Sequence, residues 1–347
     1  MSTLSTLDWS LVVATLNREE CLVRSLRANV QQSRPPKQVI VVDASTGWKD
    51  VRDRVLREVA PLAPSVEWIY VGSAQRSSTY QRNRGLERCQ SGIVFFLDDD
   101  SFMYRNCAET IMRVYEADQG ESIGGVSAAL APTHESDDAK PEPTATDSQP
   151  RWSRALHALW DQEKLFLPYD GTYHVRELSA EQQQRGLHPL ALFHGCRMTF
   201  RTNLVRAIGG FEETLRRTAF GEDCDLSYRV SRKHALVLSP SALLFHEQTP
   251  VARPKRMLNT TLILLNAVVL YRLHAPKERQ SKRHVLGFLA KRLALEALRD
   301  GMRARFRAPC VRGALRALQY APALLALDLE TLGPEYAKLQ DQLCQSG

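Results

Sequence analysis

The sequence Ile93-Val94-Phe95-Phe96-Leu97-Asp98-Asp99-Asp100 decides the fold class, because an apolar run ends there in three consecutive acids. Such a run is typical of a strand buried on both faces, and open α/β sheets bind ligands at the carboxyl ends of these strands. Three adjacent carboxylates repel one another unless a cation or an array of donors compensates them. The cluster predicts a divalent metal site, with Asp98 and Asp100 on one side of the extended backbone and Asp99 on the other. A solvated turn or a helix cap with surplus acid is the alternative.

Strands and helices alternate on the N-terminal side of this junction. Three further apolar runs precede it, at residues 11–14, 38–42 and 66–71. A helical segment follows each run, which predicts βαβ units and an α/β fold with a Rossmann-like, mostly parallel sheet flanked by helices. Polar residues follow the strand ends, with Asn17 after the first and Asp43 after the second. Asn17, with Glu20 three residues later, predicts a capping box for the first helix.

A second acidic cluster, Gly221-Glu222-Asp223-Cys224-Asp225, opens another predicted helix. Acids in a first helical turn are favoured by the helix dipole, which explains one or two of them but not three. Two short predicted strands follow, at 235–238 and 242–245, and the second ends in His246. A structural role and a metal-ligand role for this histidine both remain open.

The order of these motifs resembles the inverting glycosyltransferases of family 2, which have the GT-A fold. The resemblance covers roughly residues 11–247 and does not extend to the last hundred residues. The matching pieces are Val12-Val13-Ala14-Thr15-Leu16-Asn17-Arg18, Val41-Val42-Asp43-Ala44-Ser45, Gln81-Arg82-Asn83-Arg84-Gly85, Phe96-Leu97-Asp98-Asp99-Asp100, Gly209-Gly210-Phe211, Gly221-Glu222-Asp223-Cys224-Asp225-Leu226 and His246.

The resemblance implies transfer of one sugar from a nucleotide-diphosphate sugar, a UDP-sugar by default, to a hydroxyl acceptor in a single displacement. Asp223 matches the family's general base and Glu222 is its nearest rival. The implied ligands of Mn²⁺ or Mg²⁺ are Asp98, Asp100 and His246. The implied nucleotide-sugar contacts are Thr15, Asn17, Arg18, Asp43, Arg82, Asn83, Asp98 and Asp99. Two of these have plain alternatives, since Asn17 could only cap its helix and Arg82 could only be a surface charge.

Other functions fit the sequence less well. A sugar nucleotidyltransferase would need a glycine-rich phosphate loop after the first strand, and Ala14-Thr15-Leu16-Asn17 contains no glycine. The Gln-x-x-Arg-Trp element of processive family members is missing after Asp223, which favours a single-addition enzyme. A non-catalytic protein that binds a nucleotide or a partner on a GT-A scaffold remains the alternative function.

The domain prediction is a GT-A catalytic domain at 1–250, with a nucleotide-binding half at 1–130, a flexible loop at 132–150 and an acceptor-binding half at 151–250. A helical, basic region follows at 251–347. Residues 276–320 hold twelve Lys or Arg and three Asp or Glu, a surplus of nine against +7 for the whole chain. Pro309 and Pro322 are predicted to interrupt helices in this tract.

The predicted partners follow from this charge and from the resemblance. Basic amphipathic helices of this sort lie on anionic membrane surfaces, although a solvated face on packed helices explains the pattern equally well. The acceptor is a glycan, a lipid-linked molecule or a small molecule, and nucleic acid is not expected because aromatic clusters are missing. Seven dispersed cysteines without a secretory leader indicate a cytoplasmic location, or a peripheral one on the inner face of the membrane. The apolar run at 258–270 is too short and too polar to predict a membrane span.

Overall fold

The computed structural model describes residues 6–133, 168–217, 220–247 and 255–345. Contacts divide the chain into two units. The first comprises Met1–Thr144, His174–Glu212 and Glu222–Ala252, and the second comprises Ala145–Tyr173, Glu213–Gly221 and Arg253–Gly347. The predicted flexible loop at 132–150 lies outside the described residues except for its first two, and so do residues 151–167 of the predicted acceptor-binding half.

A mixed sheet forms the centre of the first unit. Its nine strands among the described residues are β1 Trp9–Thr15, β2 Gln38–Asp43, β3 Glu67–Gly72, β4 Ile93–Asp98, β5 Ser101–Met103, β6 Ile123–Leu130, β7 His188–Leu190, β8 Met198–Arg201 and β9 Ala235–His246. The order across the sheet is β3-β2-β1-β4-β8-β6-β9-β5, and β7 pairs with β9. β3, β2, β1 and β4 are parallel, as the alternating sequence pattern predicts.

The apolar runs place a hydrophobic core on each face of the parallel strands. Leu11, Val13 and Phe95 belong to one core and Val12 and Phe96 to the other. This alternation follows from the two-residue period of extended backbone, and it explains why the runs are mostly apolar on both faces. The helices of this unit are α1 Glu19–Val30, α2 Trp48–Glu58, α3 Ser78–Arg88, α4 Cys107–Ala117, α5 Ala180–Gln184, α6 Thr202–Ala207 and α7 Glu222–Ser231.

The predicted capping box at the start of α1 is wrong. Arg18 occupies the N-cap position and its side chain makes no capping hydrogen bond. Asn17 adopts a left-handed backbone conformation with a φ of 53°. Its backbone N–H donates to the Ser45 hydroxyl at 2.7 Å, so a tertiary contact with the loop after β2 replaces the local cap.

Beyond β4 the sheet becomes mixed, and two sequence expectations change. The two short strands predicted at 235–238 and 242–245 form one strand, β9, which continues through Pro240. Its last residues pair with β5, an unpredicted three-residue strand directly after the acids, where Ser101 lies opposite His246. This pairing brings the histidine to the end of β4.

The second unit contains four long helices among its described residues. They are α8 Arg256–His274, α9 Lys282–Met302, α10 Pro309–Ala326 and α11 Leu329–Gln345. Pro309 starts α10, as predicted, but the helix continues through Pro322, so the predicted break there is wrong. By length and composition α8 could cross a membrane, with a mean hydropathy of 1.2, yet 67% of that window is buried, as in the core helix of a packed bundle.

Candidate functional site

The carboxyl ends of three neighbouring strands bring predicted site residues into one row. In the parallel register Thr15 of β1 is paired with Asp43 of β2, and the adjacent Ala14 is paired with Asp98 of β4. This is the edge at which open α/β sheets bind ligands. The β5–β9 pair adds His246 on the far side of Asp98 and Asp100.

Asp98, Asp100 and His246 form a group with the geometry of a metal site. One ligand atom from each lies within 4.8 Å of the other two. His246 Nε2 is 3.1 Å from Asp100 Oδ1 and 3.9 Å from Asp98 Oδ2. Two carboxylates and an imidazole suit Mn²⁺ or Mg²⁺, and the partial exposure of Asp98 and His246, 34% and 17%, leaves a solvent-facing side for further oxygen ligands. The residues present therefore fit such an ion.

The charges of this group depend on one another. Burial opposes protonation of His246, but its hydrogen bonds to Asp100 and Cys196 outweigh burial and raise the pKa of the imidazole to about 10. Burial also disfavours the ionised form of Asp100, and here too the hydrogen bond from His246 and the charge of Arg18 prevail and lower the pKa of this carboxyl below its usual range. The pair is thus an imidazolium and a carboxylate in the metal-free protein.

Arg18 compensates the acids on the other side of the cluster. Its guanidinium forms ion pairs with Asp99 and with Asp100, the latter at 2.7 Å from Nη2 to Oδ2. Asp99 is 3% exposed, and its Oδ2 accepts a hydrogen bond from the Thr15 hydroxyl at 2.7 Å. Burial raises the pKa of Asp99 to about 7 despite the opposing charge of Arg18. β4 ends at Asp98, and Asp99 and Asp100 lie in the turn that follows, so strand alternation does not explain their orientation. Asp99 contacts Thr15 and Arg18, whereas Asp98 and Asp100 lie beside His246.

Arg82 connects the first acidic cluster to the second. It is 4% exposed, which rules out the surface-charge alternative. Nη2 donates to Asp98 Oδ1 at 2.8 Å and Nη1 donates to Glu222 Oε1 at 2.7 Å. The guanidinium also lies 5.4 Å from the centroid of the Phe211 ring. The sequence predicted Arg82 as a nucleotide contact, and the structure adds that it holds a carboxylate of each cluster.

The two arginines leave one oxygen of each candidate ligand facing the histidine. Arg82 contacts Oδ1 of Asp98, and Oδ2 is the oxygen nearer His246. Arg18 contacts Oδ2 of Asp100, and Oδ1 is the oxygen bonded to His246. An ion held by the inner oxygens and the imidazole nitrogen would leave both arginine contacts in place.

Asp223 and Glu222, at the start of α7, differ in their surroundings. Asp223 Oδ2 accepts a hydrogen bond from the Gly195 backbone N–H at 2.8 Å, and Oδ1 accepts one from the Cys224 N–H at 2.8 Å. Glu222 is ion-paired with Arg82, yet burial and the neighbouring Asp223 charge raise its pKa to about 8. A Cβ built on Gly195 would lie 3.4 Å from Arg82 and 3.6 Å from Asp223. The Arg82 and Asp223 side chains therefore both lie close to the Gly195 backbone.

A separate cavity of about 350 Å³ lies beside the ends of β1 and β2. The Asp43 carboxylate at its base accepts hydrogen bonds from the Tyr70 hydroxyl and the Ser45 N–H, each at 2.7 Å. Burial and the Asp43 charge raise the pKa of Tyr70 far above its usual range, so this phenol stays a donor. Four predicted nucleotide contacts line the cavity: Thr15, Asn17, Arg18 and Asp43. The other lining residues were not predicted from the sequence: Glu19, Leu22, Ser45, Gly47, Asp50 and Val51.

Asn83, another predicted nucleotide contact, supports a neighbouring loop. Its amide NH₂ donates to the Phe211 carbonyl at 2.9 Å, and its carbonyl accepts from the Phe211 N–H at 2.8 Å. Gly210, with a φ of 71°, packs so closely that an added Cβ would lie 2.5 Å from Asn83 Oδ1. The structure gives Asn83 a packing role that the motif did not indicate.

Comparisons with known proteins relate the chain to one family and one fold. Residues 10–167 match the family model described as Glycosyl transferase family 2. The mannosyltransferase PcManGT from Pyrobaculum calidifontis, in complex with GDP-Man and Mn²⁺, is 15% identical with a TM-score of 0.50, and the match covers 97% of this chain and 84% of that one. Residues 1–349 of TarS from S. aureus, in complex with UDP-GlcNAc, are 12% identical with a TM-score of 0.49, over 98% and 92% of the two chains.

A third solved structure, GalNAc-T7 with UDP, GalNAc and Mn²⁺, is 12% identical with a TM-score of 0.49, over 83% of this chain and 54% of that one. The comparison with curated proteins finds no match. At these identities the likeness to PcManGT shows the fold, which is the GT-A fold expected from the motifs.

Proposed function

We propose that this chain is an inverting, metal-dependent glycosyltransferase. Its residues 10–167 match the model of glycosyl transferase family 2, and its fold is GT-A. One sugar moves from a nucleotide-diphosphate sugar to a hydroxyl acceptor, with Asp223 as general base. The observation that carries the proposal is the Arg82 bridge. It joins the carboxylate cluster suited to a metal to the helix that bears the candidate base.

The donor diphosphate is proposed to lie against Asp98, Asp100 and His246. Mn²⁺ or Mg²⁺ held there would stabilise the negative charge that the diphosphate gains as it leaves. PcManGT, whose complex contains Mn²⁺ with GDP-Man, supports this choice of ion by fold analogy. Arg82 and Arg18 keep the two carboxylates in place, because each arginine binds the outer oxygen of one of them.

Asp223 is proposed to take the proton from the acceptor hydroxyl. As the acceptor oxygen forms its bond to the anomeric carbon, the bond from that carbon to the diphosphate oxygen breaks, and the proton passes to the Asp223 carboxylate. The N–H groups of Gly195 and Cys224 hold this carboxylate in one orientation, which a base needs if it is to meet the acceptor at a defined angle. Glu222 suits this role less well because its carboxylate is already ion-paired with Arg82, at 2.7 Å.

The nucleotide is proposed to occupy the cavity beside β1 and β2. Asp43, which lines this cavity, can accept a hydrogen bond from an N–H group of the nucleobase. It can do so while it keeps its hydrogen bonds to Tyr70 and Ser45, since each carboxylate oxygen has two acceptor positions. Uridine is the default by family resemblance. The acceptor is proposed to be a glycan, a lipid-linked molecule or a small molecule in the cytoplasm.

Hydrolysis of the donor tests the proposal without knowledge of the acceptor. The purified chain is incubated with a panel of UDP-, GDP- and dTDP-sugars and Mn²⁺, and released nucleoside diphosphate is measured by chromatography. We expect slow release from one donor, abolished by EDTA and restored by Mn²⁺. If no donor is bound or consumed, the proposed reaction is wrong; if a donor is consumed equally well with EDTA, the metal assignment is wrong.

A further inference from the structure

The amphipathic pattern of α9 is used for packing within the second unit. Val285 and Leu289, two apolar residues of this basic tract, are fully buried. The two acids of the helix, Glu296 and Asp300, are buried as well, and Glu296 is paired with Arg292 at 2.6 Å. These residues therefore cannot form the membrane surface that the sequence pattern suggested.

A different apolar surface is exposed where α9 meets α10. We call it the α9–α10 corner, and it consists of Leu298, Met302 and Phe306 with Arg303 and Arg307. The side chains of Leu298, Met302 and Phe306 are 45%, 66% and 98% exposed. Burying apolar side chains is strongly favourable, so three exposed ones at one helix corner favour contact with another surface.

The turn that carries this corner is well defined. The Asp300 carboxylate accepts hydrogen bonds from the N–H groups of Cys310 and Val311, at 2.8 Å and 3.1 Å, and so caps the start of α10. Arg305 contacts the same carboxylate at 3.5 Å. Because Asp300 ties the end of α9 to the start of α10, the intervening residues, Phe306 among them, are held outward by the fold.

The charge around the corner has one sign. Between residues 281 and 327 Glu296 and Asp300 are the only acids, and both are buried. Arg303, Arg307 and Arg312 lie in or directly after the turn and are exposed. An exposed aromatic ring among exposed arginines is complementary to an anionic surface. Two α9–α10 corners facing each other would repel, because both are positively charged.

We propose that the α9–α10 corner docks this chain on an anionic lipid bilayer. Phe306 and Met302 enter the headgroup region, and Arg303 and Arg307 contact lipid phosphates. A bilayer fits because exposed apolar side chains lie among exposed arginines, while the two acids between residues 281 and 327 are buried. Docking does not depend on the proposed sugar transfer, but it would bring the enzyme to lipid-linked acceptors.

Vesicle co-sedimentation of the full chain tests the proposal. Vesicles of phosphatidylcholine with about 30 mol% phosphatidylglycerol should bind the protein, and pure phosphatidylcholine vesicles should not. Phe306→Ser should lower the partition coefficient about tenfold, through lost apolar burial. Arg303→Ser with Arg307→Ser should lower it about thirtyfold, since each charge near the surface is worth about fivefold. Raising the salt to about 0.5 M should release the wild-type chain.

Matched controls are available on the first unit. Val175→Ser removes another exposed apolar side chain, 48% exposed, and Arg57→Ser with Arg113→Ser removes two exposed arginines, so neither should change binding. The proposal is wrong if Phe306→Ser and the double variant Arg303→Ser with Arg307→Ser bind the vesicles as well as the wild-type chain does. It is also wrong if light scattering shows a dimer that Phe306→Ser converts to a monomer, because the corner would then be a self-association surface. Donor hydrolysis measured without vesicles reports on the sugar transfer separately.

Discussion

Replacing Asp223 with asparagine separates the chemical role of its carboxylate from its structural role. Both carboxylate oxygens accept a backbone N–H, from Gly195 and Cys224, each at 2.8 Å. An asparagine has one carbonyl oxygen, so in either orientation its NH₂ group faces one of these donors. One half-buried N–H then loses its partner, which costs about 1–3 kcal/mol. Because domains are stable by about 5–15 kcal/mol, the variant should remain folded.

The rate effect should be far larger than the stability effect. Loss of a general base typically slows a reaction by about 10²–10⁴-fold, so Asp223→Asn should lower kcat by at least about a hundredfold. Affinity for the nucleotide and Mn²⁺ should change little, because Asp98, Asp100 and His246 keep their contacts. Glu222→Gln is the matched control: its amide oxygen can still accept from Arg82, and kcat should fall by less than about tenfold.

Three measurements on each variant decide the outcome: kcat for hydrolysis of the donor found in the panel, nucleotide affinity by calorimetry, and unfolding free energy by urea titration. If Asp223→Asn keeps kcat within tenfold of wild type and Glu222→Gln lowers kcat a hundredfold, Glu222 is the base and the assignment of Asp223 is refuted. If Asp223→Asn loses nucleotide affinity in proportion to kcat, the carboxylate is structural.

Two further predictions concern the metal group and the loop that Asn83 supports. Asp100→Ala should weaken Mn²⁺ binding at least tenfold, because it removes one of three ligands and the hydrogen-bond partner of His246. Calorimetry measures this affinity. An unchanged affinity would mean that Asp100 does not bind the ion. Gly210→Ala should destabilise the protein by about 1–3 kcal/mol more than Gly209→Ala in urea unfolding. Both glycines have positive φ, 71° and 83°, but only the Gly210 Cβ would meet Asn83, at 2.5 Å, while nothing lies within 4 Å of that of Gly209. Equal losses would mean that Asn83 moves aside easily.

The parallel half of the sheet could be predicted from the sequence because its signals are local. Apolar runs mark β1 to β4, and Asp98 ends the last of these strands, where the sequence places the first acid of the cluster. The fold class follows from the alternation of these runs with helices, and the structure and the likeness to PcManGT confirm it.

The rest depends on contacts between distant segments. β5 has three residues and no pattern of its own, and it forms because β9 pairs with it more than a hundred residues later. Asn17 looks like a helix cap, but the Ser45 hydroxyl, 28 residues away, binds its backbone instead. A single sequence shows neither relationship, since each partner residue is ordinary where it stands.

The arginines change the physical basis of the metal prediction. In the sequence, the repulsion among three adjacent acids predicts a cation that offsets it. In the structure Arg18 and Arg82, 82 and 16 residues from the carboxylates they bind, already supply two positive charges, and protonated His246 supplies a third. The acids are thus compensated without a metal, and repulsion no longer argues for one.

What still argues for a metal is geometry. Each arginine binds one oxygen of its carboxylate, so Oδ2 of Asp98 and Oδ1 of Asp100 remain beside the His246 nitrogen, within 4.8 Å. An ion entering there has to displace the imidazole proton, because a nitrogen that carries a proton cannot act as a ligand. The cluster is therefore compensated without a metal, and the proposed ion would bind there only in exchange for the imidazole proton. For this reason manganese affinity, and not the stability of the metal-free fold, is the property that Asp100→Ala must change.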